Sequence, residues 1–137
     1  MQLKISTNFA IRIILELAKR QKLTCKEIAE QLNIGESYTT GILNKLIKAD
    51  IINVVQGING GYVLKANLAK LTLLDVIKVM ETTVKINRCL EEDEFCSRGA
   101  VKTCKLRQQY EKLQVQIENE LSRLTFQEML SCVEREE

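Results

Sequence analysis

Apolar and polar positions alternate along the chain in blocks that change period three times. Phe9, Ala10, Ile13, Ile14, Leu17 and Ala18 recur at helical spacing, which predicts a first helix over residues 8–20 capped by Thr7. Thr24-Cys25-Lys26-Glu27 has the form of a capping box and opens a short helix ending near Leu32, with Ile28, Ala29 and Leu32 inward. Asn33-Ile34-Gly35 makes a turn, and a further helix is expected from Glu36 to Ala49. In that helix Tyr38, Ile42, Leu43, Leu46 and Ile47 form the packing side.

The period then drops to strand spacing. Residues 51–55 and 62–65 are β-prone, and Gln56-Gly57-Ile58-Asn59-Gly60-Gly61 joins them, with Asn59-Gly60 suited to a turn of positive φ. Thr72 to Asp75 caps another helix running to about Glu81. From Lys102 to Leu124 a narrow stripe, Leu106, Tyr110, Leu113, Ile117, Leu121 and Leu124, is flanked by charge. Such a stripe suits pairing with a second copy better than a wide core face. Thr125-Phe126-Gln127-Glu128 caps a last short helix, with Phe126, Met129 and Leu130 expected to pack on the N-terminal part and Cys132 to act as a small hydrophobe.

These elements describe a mostly α fold with a small β-hairpin. Two helices joined by a tight turn and followed by a hairpin form a winged helix-turn-helix. The expected organisation is a DNA-binding domain over 1–82, a cysteine-bearing sensor loop over 83–104, and a dimerisation helix with a C-terminal helix over 105–137.

Charge also divides the chain, near residue 70. Residues 1–70 carry ten Lys/Arg against five Asp/Glu, and residues 71–137 carry ten against thirteen. The overall +2 thus separates into a basic half that suits a polyanion and an acidic half that does not. The candidate reader residues are Ser37, Thr39, Thr40, Asn44 and Lys48 on the second helix of the motif, Gln56 and Asn59 on the wing, and Lys4 ahead of the first helix. Short hydroxyls and amides at a helix N-terminus meet base edges in a major groove, and lysines neutralise phosphates. The partner this implies is double-stranded DNA, read as a pseudo-palindrome by a homodimer.

The chemistry lies between the two halves. Cys89, Cys96 and Cys104 are separated by six and seven residues in a mostly polar stretch. No signal peptide or membrane-spanning run is visible, so a cytoplasmic location is expected, where cysteines serve as ligands or redox sensors more often than as disulfides. The chain has no histidine, which removes the commonest general base and argues against an enzyme.

The chain resembles the IscR/NsrR/CymR regulators, the Rrf-two family of small bacterial winged-helix dimers, many of which carry an iron–sulphur cluster. The matching residues include Leu3 with Ser6-Thr7 and Ala10, Ile28-Ala29-Glu30 with Ile34, and Ser37-Tyr38 with Ile42-Leu43. They continue with Gly57, Gly60-Gly61-Tyr62-Val63-Leu64, Leu71 to Ile77, Glu81, the three cysteines, and Leu124-Thr125. The resemblance implies base reading by Ser37, Thr40 and the wing. It also implies a cluster, 2Fe–2S or 4Fe–4S, held by Cys89, Cys96 and Cys104. The chain departs from IscR-like members at Thr40, where they often carry Glu, at Gln56, where they usually carry Arg, and at Arg107, where they carry a ligating His. NsrR-like members take a carboxylate from the N-terminal region of the second subunit, and the matching position here is Asn8. A fourth ligand could therefore be Asn8 of the partner subunit, Glu91, Glu92, Asp93 or Glu94, Cys25, or an exogenous thiol or water. The competing reading is a metal-free thiol switch; a third is an iron–sulphur carrier or partner-binding protein that does not touch DNA.

Overall fold

The computed structural model describes residues 2–136, with side chains through Cys132. Helices α1 (Ile5–Arg20), α2 (Cys25–Leu32) and α3 (Glu36–Lys48) are followed by strands β1 (Ile52–Val55) and β2 (Gly61–Leu64), then α4 (Leu73–Met80). A single 3-10 turn at Arg88–Leu90 lies within the cysteine loop, and α5 (Lys105–Arg123) and α6 (Phe126–Glu136) complete the chain. The expected mostly α fold with one hairpin is what forms.

The core gathers Ile13, Ile14 and Leu17 of α1, Ile28 of α2, Leu43 and Leu46 of α3, Ile52 of β1 and Val76 of α4. Phe126 completes it with no exposed surface. The C-terminal helix is thus tied into the N-terminal domain. Leu73 N donates to Leu124 O and Phe126 N to Leu71 O, both at 3.0 Å.

The turn of the helix-turn-helix closes as the residue types require. Thr24 Oγ1 accepts from Glu27 N at 3.2 Å. Asn33 takes the left-handed conformation that short polar side chains tolerate, and its amide caps α2. The hairpin pairs Ile52 with Leu64 and Val55 with Gly61. A bridge between Leu23 and Tyr62 adds a third short edge.

Four local expectations need correction. The first helix starts at Ile5, and Thr7 is not its cap: it lies in the first turn, fully buried, with its hydroxyl donating to Glu81. Tyr38 is 44% exposed rather than packed inward, and meets Phe9 edge to face. The positive φ of the wing falls at Gly57 (106°), not at Asn59-Gly60. Cys132 is exposed rather than a small core hydrophobe.

The expected stripe is uncovered at Leu106, Leu113 and Leu124 and half-buried at Tyr110, Ile117 and Leu121. Leu106 is 58% and Leu113 47% exposed, and the one buried residue of the helix is a polar one, Gln114. Gln114 accepts from Ile86 N and donates to Val84 O, both at 2.9 Å. That pair of bonds fixes α5 against the segment leading into the cysteine loop.

Candidate functional site: a reading head and a cysteine cavity

The exposed face of α3 presents Ser37, Thr40, Gly41, Asn44, Lys45 and Lys48. Their steps of three and four place them along one side of the helix. A Cβ at Gly41 would meet nothing within 4 Å, so the glycine leaves room for a close approach from outside. Thr40 Oγ1 donates to Glu36 O at 2.9 Å and lies 3.4 Å from Cys25 Sγ. Its hydroxyl thus bonds its own helix and touches the Cys25 thiol, while the residue stays exposed.

Thr39 does not belong to this face. It is fully buried, its hydroxyl donates to Gly35 O at 2.9 Å, and it cannot reach a base. Lys4, Gln56 and Asn59 are exposed as expected. Lys22 was not foreseen: its Nζ donates to the Asn59 carbonyl and tethers the wing tip to the α1–α2 connection.

Glu81 was also missed as a working residue. Its Oε1 accepts from Thr7 Oγ1 at 2.6 Å and from Lys4 N at 2.7 Å. The C-terminal end of α4 thus caps the N-terminus of α1, which has no side-chain cap of its own. The Thr7 hydrogen bond holds the Glu81 carboxyl below the usual carboxylate range, and the Lys4 amide adds to this.

Cys89, Cys96 and Cys104 line one cavity of about 440 Å³, with Asn87, Arg98, Lys105, Arg107 and Tyr110 also on its walls. All three are half-buried thiols. The turn after Cys96 aims amides at its sulphur. Those of Ala100 and Arg98 hold the Cys96 thiol below its usual range, and the charge of Arg98 adds to them. Cys104 stands at the N-cap of α5, where its sulphur accepts from Arg107 N at 3.4 Å.

Arg107 occupies the place of the ligating histidine and does different work. It is 16% exposed. Its Nε donates to Cys89 O at 3.2 Å, and its guanidinium pairs with Glu94 at 3.5 Å and with Glu111. It fastens the loop to the first turns of α5.

Three of the four loop carboxylates have partners within the chain. Asp93 pairs with Arg88, Glu94 with Arg107, and Glu91 accepts from Thr83. Together with Glu92 they line a separate, open cavity rather than that of the thiols. Cys25 bonds Glu36 O beside α3, away from the loop. Asn8 is exposed on α1. Among the described residues no group of three or more Cys, Asp or Glu is drawn close enough to hold a metal ion. The donor chemistry fits a cluster: three soft sulphurs share one cavity, amides point at two of them, and cations surround them. The spacing of those sulphurs as they stand does not yet fit it.

Among the described residues no helix is long and apolar enough to cross a membrane.

A family model described as "Rrf2: Iron-dependent Transcriptional regulator" matches residues 3–131. The regulator CymR of Bacillus subtilis is 32% identical over 101 residues, spanning 70% of this chain and 73% of CymR. Protein aau3 of Rhizobium meliloti is 34% identical over 97 residues, which span 69% of this chain but only 63% of that protein. The solved structure of T. potens IscR superposes with a TM-score of 0.77 at 23% identity, covering 100% of this chain and 91% of its own. The family match over nearly the whole length, the exposed α3 face and the tethered wing agree: this chain belongs to the Rrf2 family of winged-helix, DNA-binding transcriptional regulators.

Proposed function

We propose that this regulator acts as a homodimeric repressor of pseudo-palindromic operators, and that an iron–sulphur cluster on Cys89, Cys96 and Cys104 sets its DNA affinity. The observation that carries the reading is the shared cavity. Three thiols separated by six and seven intervening residues face one cationic space, at the base of the helix whose apolar side is partly uncovered. A cluster there supplies chemistry that no side chain of this chain offers: reversible one-electron change and ligand exchange with nitric oxide or oxygen. The chain's residues would hold it through the three sulphurs. Arg98, Lys105 and Arg107 would offset its negative charge, and the amides aimed at the Cys96 and Cys104 sulphurs would hold those side chains in place. The carboxylates of the loop face elsewhere, which favours a fourth ligand from outside the chain, either Asn8 of the partner subunit or an exogenous group.

The route to DNA runs through α5. The loop is fastened to this helix by Arg107, and α5 is fastened to the 84–86 segment by Gln114. Drawing the sulphurs together would shift the start of α5, and with it the spacing of two recognition helices in the dimer. Cluster and operator must then alter each other's affinity by the same factor.

A second reading is supported by the separation of the thiols and by the low-lying Cys96: a metal-free thiol switch, in which oxidation of Cys96 changes DNA binding.

The test is a visible spectrum of protein purified without oxygen, with iron and sulphide measured on the same sample. A brown protein with matched iron and sulphide, lost in Cys89→Ala, Cys96→Ala and Cys104→Ala, supports the cluster. A colourless protein that resists reconstitution, and whose DNA binding responds to peroxide, makes the thiol switch the mechanism.

A further inference from the structure

Ile58 at the tip of the wing is 104% exposed, while the next most exposed large apolar side chain among the described residues, Ile5, reaches 67%. An isoleucine in this position contributes nothing to the core.

The tip that carries it is held in place from several sides. Gly57 takes a φ of 106°, and Gly60 N donates to Gly57 O at 3.0 Å. A Cβ on Gly60 would collide with the carbonyl oxygens of Val55 and Gly57, so the turn is closed as tightly as glycine allows. Lys22 Nζ holds the Asn59 carbonyl. At the base, Leu23 and Tyr62 exchange backbone bonds of 3.2 and 2.7 Å, and the Leu23 backbone leaves no room for a side chain on Gly61. A fully exposed apolar group on a clamped turn is positioned toward a surface outside the chain.

Three residues separate the end of α3 from the start of the hairpin. With α3 in a major groove, a hairpin joined to it this closely would reach the adjacent minor groove. The tip, from Gln56 to Gly60, carries no charge, and the Lys22 ammonium beneath it suits the phosphates that wall a groove. The floor of the minor groove differs between base pairs in one group. A·T pairs offer only acceptors, and G·C adds the guanine 2-amino donor. An aliphatic side chain set against that amine strips its water and returns no acceptor. Gln56 and Asn59 carry amides that can donate to the acceptors on either side.

We propose that Ile58 seats in the minor groove of the operator and selects against guanine there by excluding its 2-amino group, making it a specificity-determining residue of the wing. This deepens the DNA-binding reading and rests on it.

The test uses the full chain and the duplex that the wild-type protein enriches from a randomised pool. At each flanking A·T pair under the wing, G·C or inosine·cytosine is substituted. Inosine·cytosine presents the major-groove face of G·C but lacks the 2-amino group. The expected result is that inosine·cytosine binds within about twofold of A·T, while G·C binds at least about fivefold more weakly, the effect of a mismatched pair. In Ile58→Ala and Ile58→Ser the three duplexes bind alike, while pairs under α3 are still discriminated. Equal loss on G·C and inosine·cytosine, or discrimination that survives in both variants, overturns the assignment of Ile58 and leaves the DNA reading intact. If the wild type enriches no sequence, the DNA reading falls and the role of Ile58 with it.

Discussion

Glu81 and Thr7, separated by 74 positions in sequence, share a 2.6 Å hydrogen bond that joins the end of α4 to the start of α1. Because Lys4 N donates to the same oxygen, one carboxylate supplies the cap that α1 lacks. Replacing Glu81 with alanine should cost about 1 kcal/mol of stability, the usual worth of an N-cap. The folded-state pKa lies below the ordinary 4.5. The stabilisation is therefore present above that value and lost as pH falls through the folded pKa. Urea unfolding followed from pH 7 down into acid should show the gap between wild type and Glu81→Ala closing as pH falls.

On the proposed function, the α3 face should separate affinity from discrimination. Ser37→Ala and Thr40→Ala should lower the preference for the operator over random duplex by roughly 1 kcal/mol each. Lys48→Ala should instead weaken both and reduce the slope of log affinity against log salt by roughly one unit per contact per subunit. Fluorescence anisotropy over a salt series measures both quantities. Equal losses on every duplex for Ser37→Ala would remove it from the base-reading set.

The uncovered side of α5 gives a prediction about assembly. Leu113→Glu places a charge on the exposed apolar stripe and should weaken self-association at least thirtyfold, roughly the cost of a hot-spot loss. Sedimentation velocity should show a monomer with an unchanged helical content. If the variant remains a dimer, the copies meet through another surface.

Cys96 should be the most reactive loop thiol in metal-free, reduced protein. The Ala100 and Arg98 amides hold its thiol below the usual range, and a larger thiolate fraction at neutral pH means faster alkylation. Iodoacetamide at pH 7 should modify Cys96 ahead of the exposed Cys132, and Arg98→Ala should slow it. Peptide mass spectrometry follows each site. Equal rates at both cysteines would show that the turn does not activate the thiol.

Arg107→Ala removes the bond to Cys89 O and the pairing with Glu94. The backbone from Cys89 to Cys96 should then exchange its amide hydrogens faster, by about tenfold if one charge-assisted bond is lost. Helix α1 should exchange as before. Unchanged exchange in the loop would mean that Arg107 pairs there without ordering it.

Most of the architecture was legible from local pattern. The spacing of Ile13, Ile14 and Leu17, the Thr24 and Thr72 caps and the glycines of the wing each constrain only their near neighbours, and all lie in the elements they indicate. The exposed face of α3 was legible for the same reason, since a helix face follows from a period of 3.6. Thr39 was the exception. It is adjacent in sequence to Thr40, yet packing of α3 against the core turns one inward and the other out.

What the sequence determined by itself is therefore everything set by short-range geometry: the order of elements, the basic half and the acidic half, the exposed edge of α3, and the three thiols held in one loop. Tertiary structure decided the rest, because those partners are chosen by packing rather than by spacing. Glu81 caps a helix 74 positions away. Lys22 holds a wing 37 positions away, and Phe126 closes a core built by the first 80 residues. The loop carboxylates could each have been ligands by composition. Ion pairs with Arg88 and Arg107 draw two of them to another surface, because a charged side chain near an opposite charge is held there rather than left free to turn.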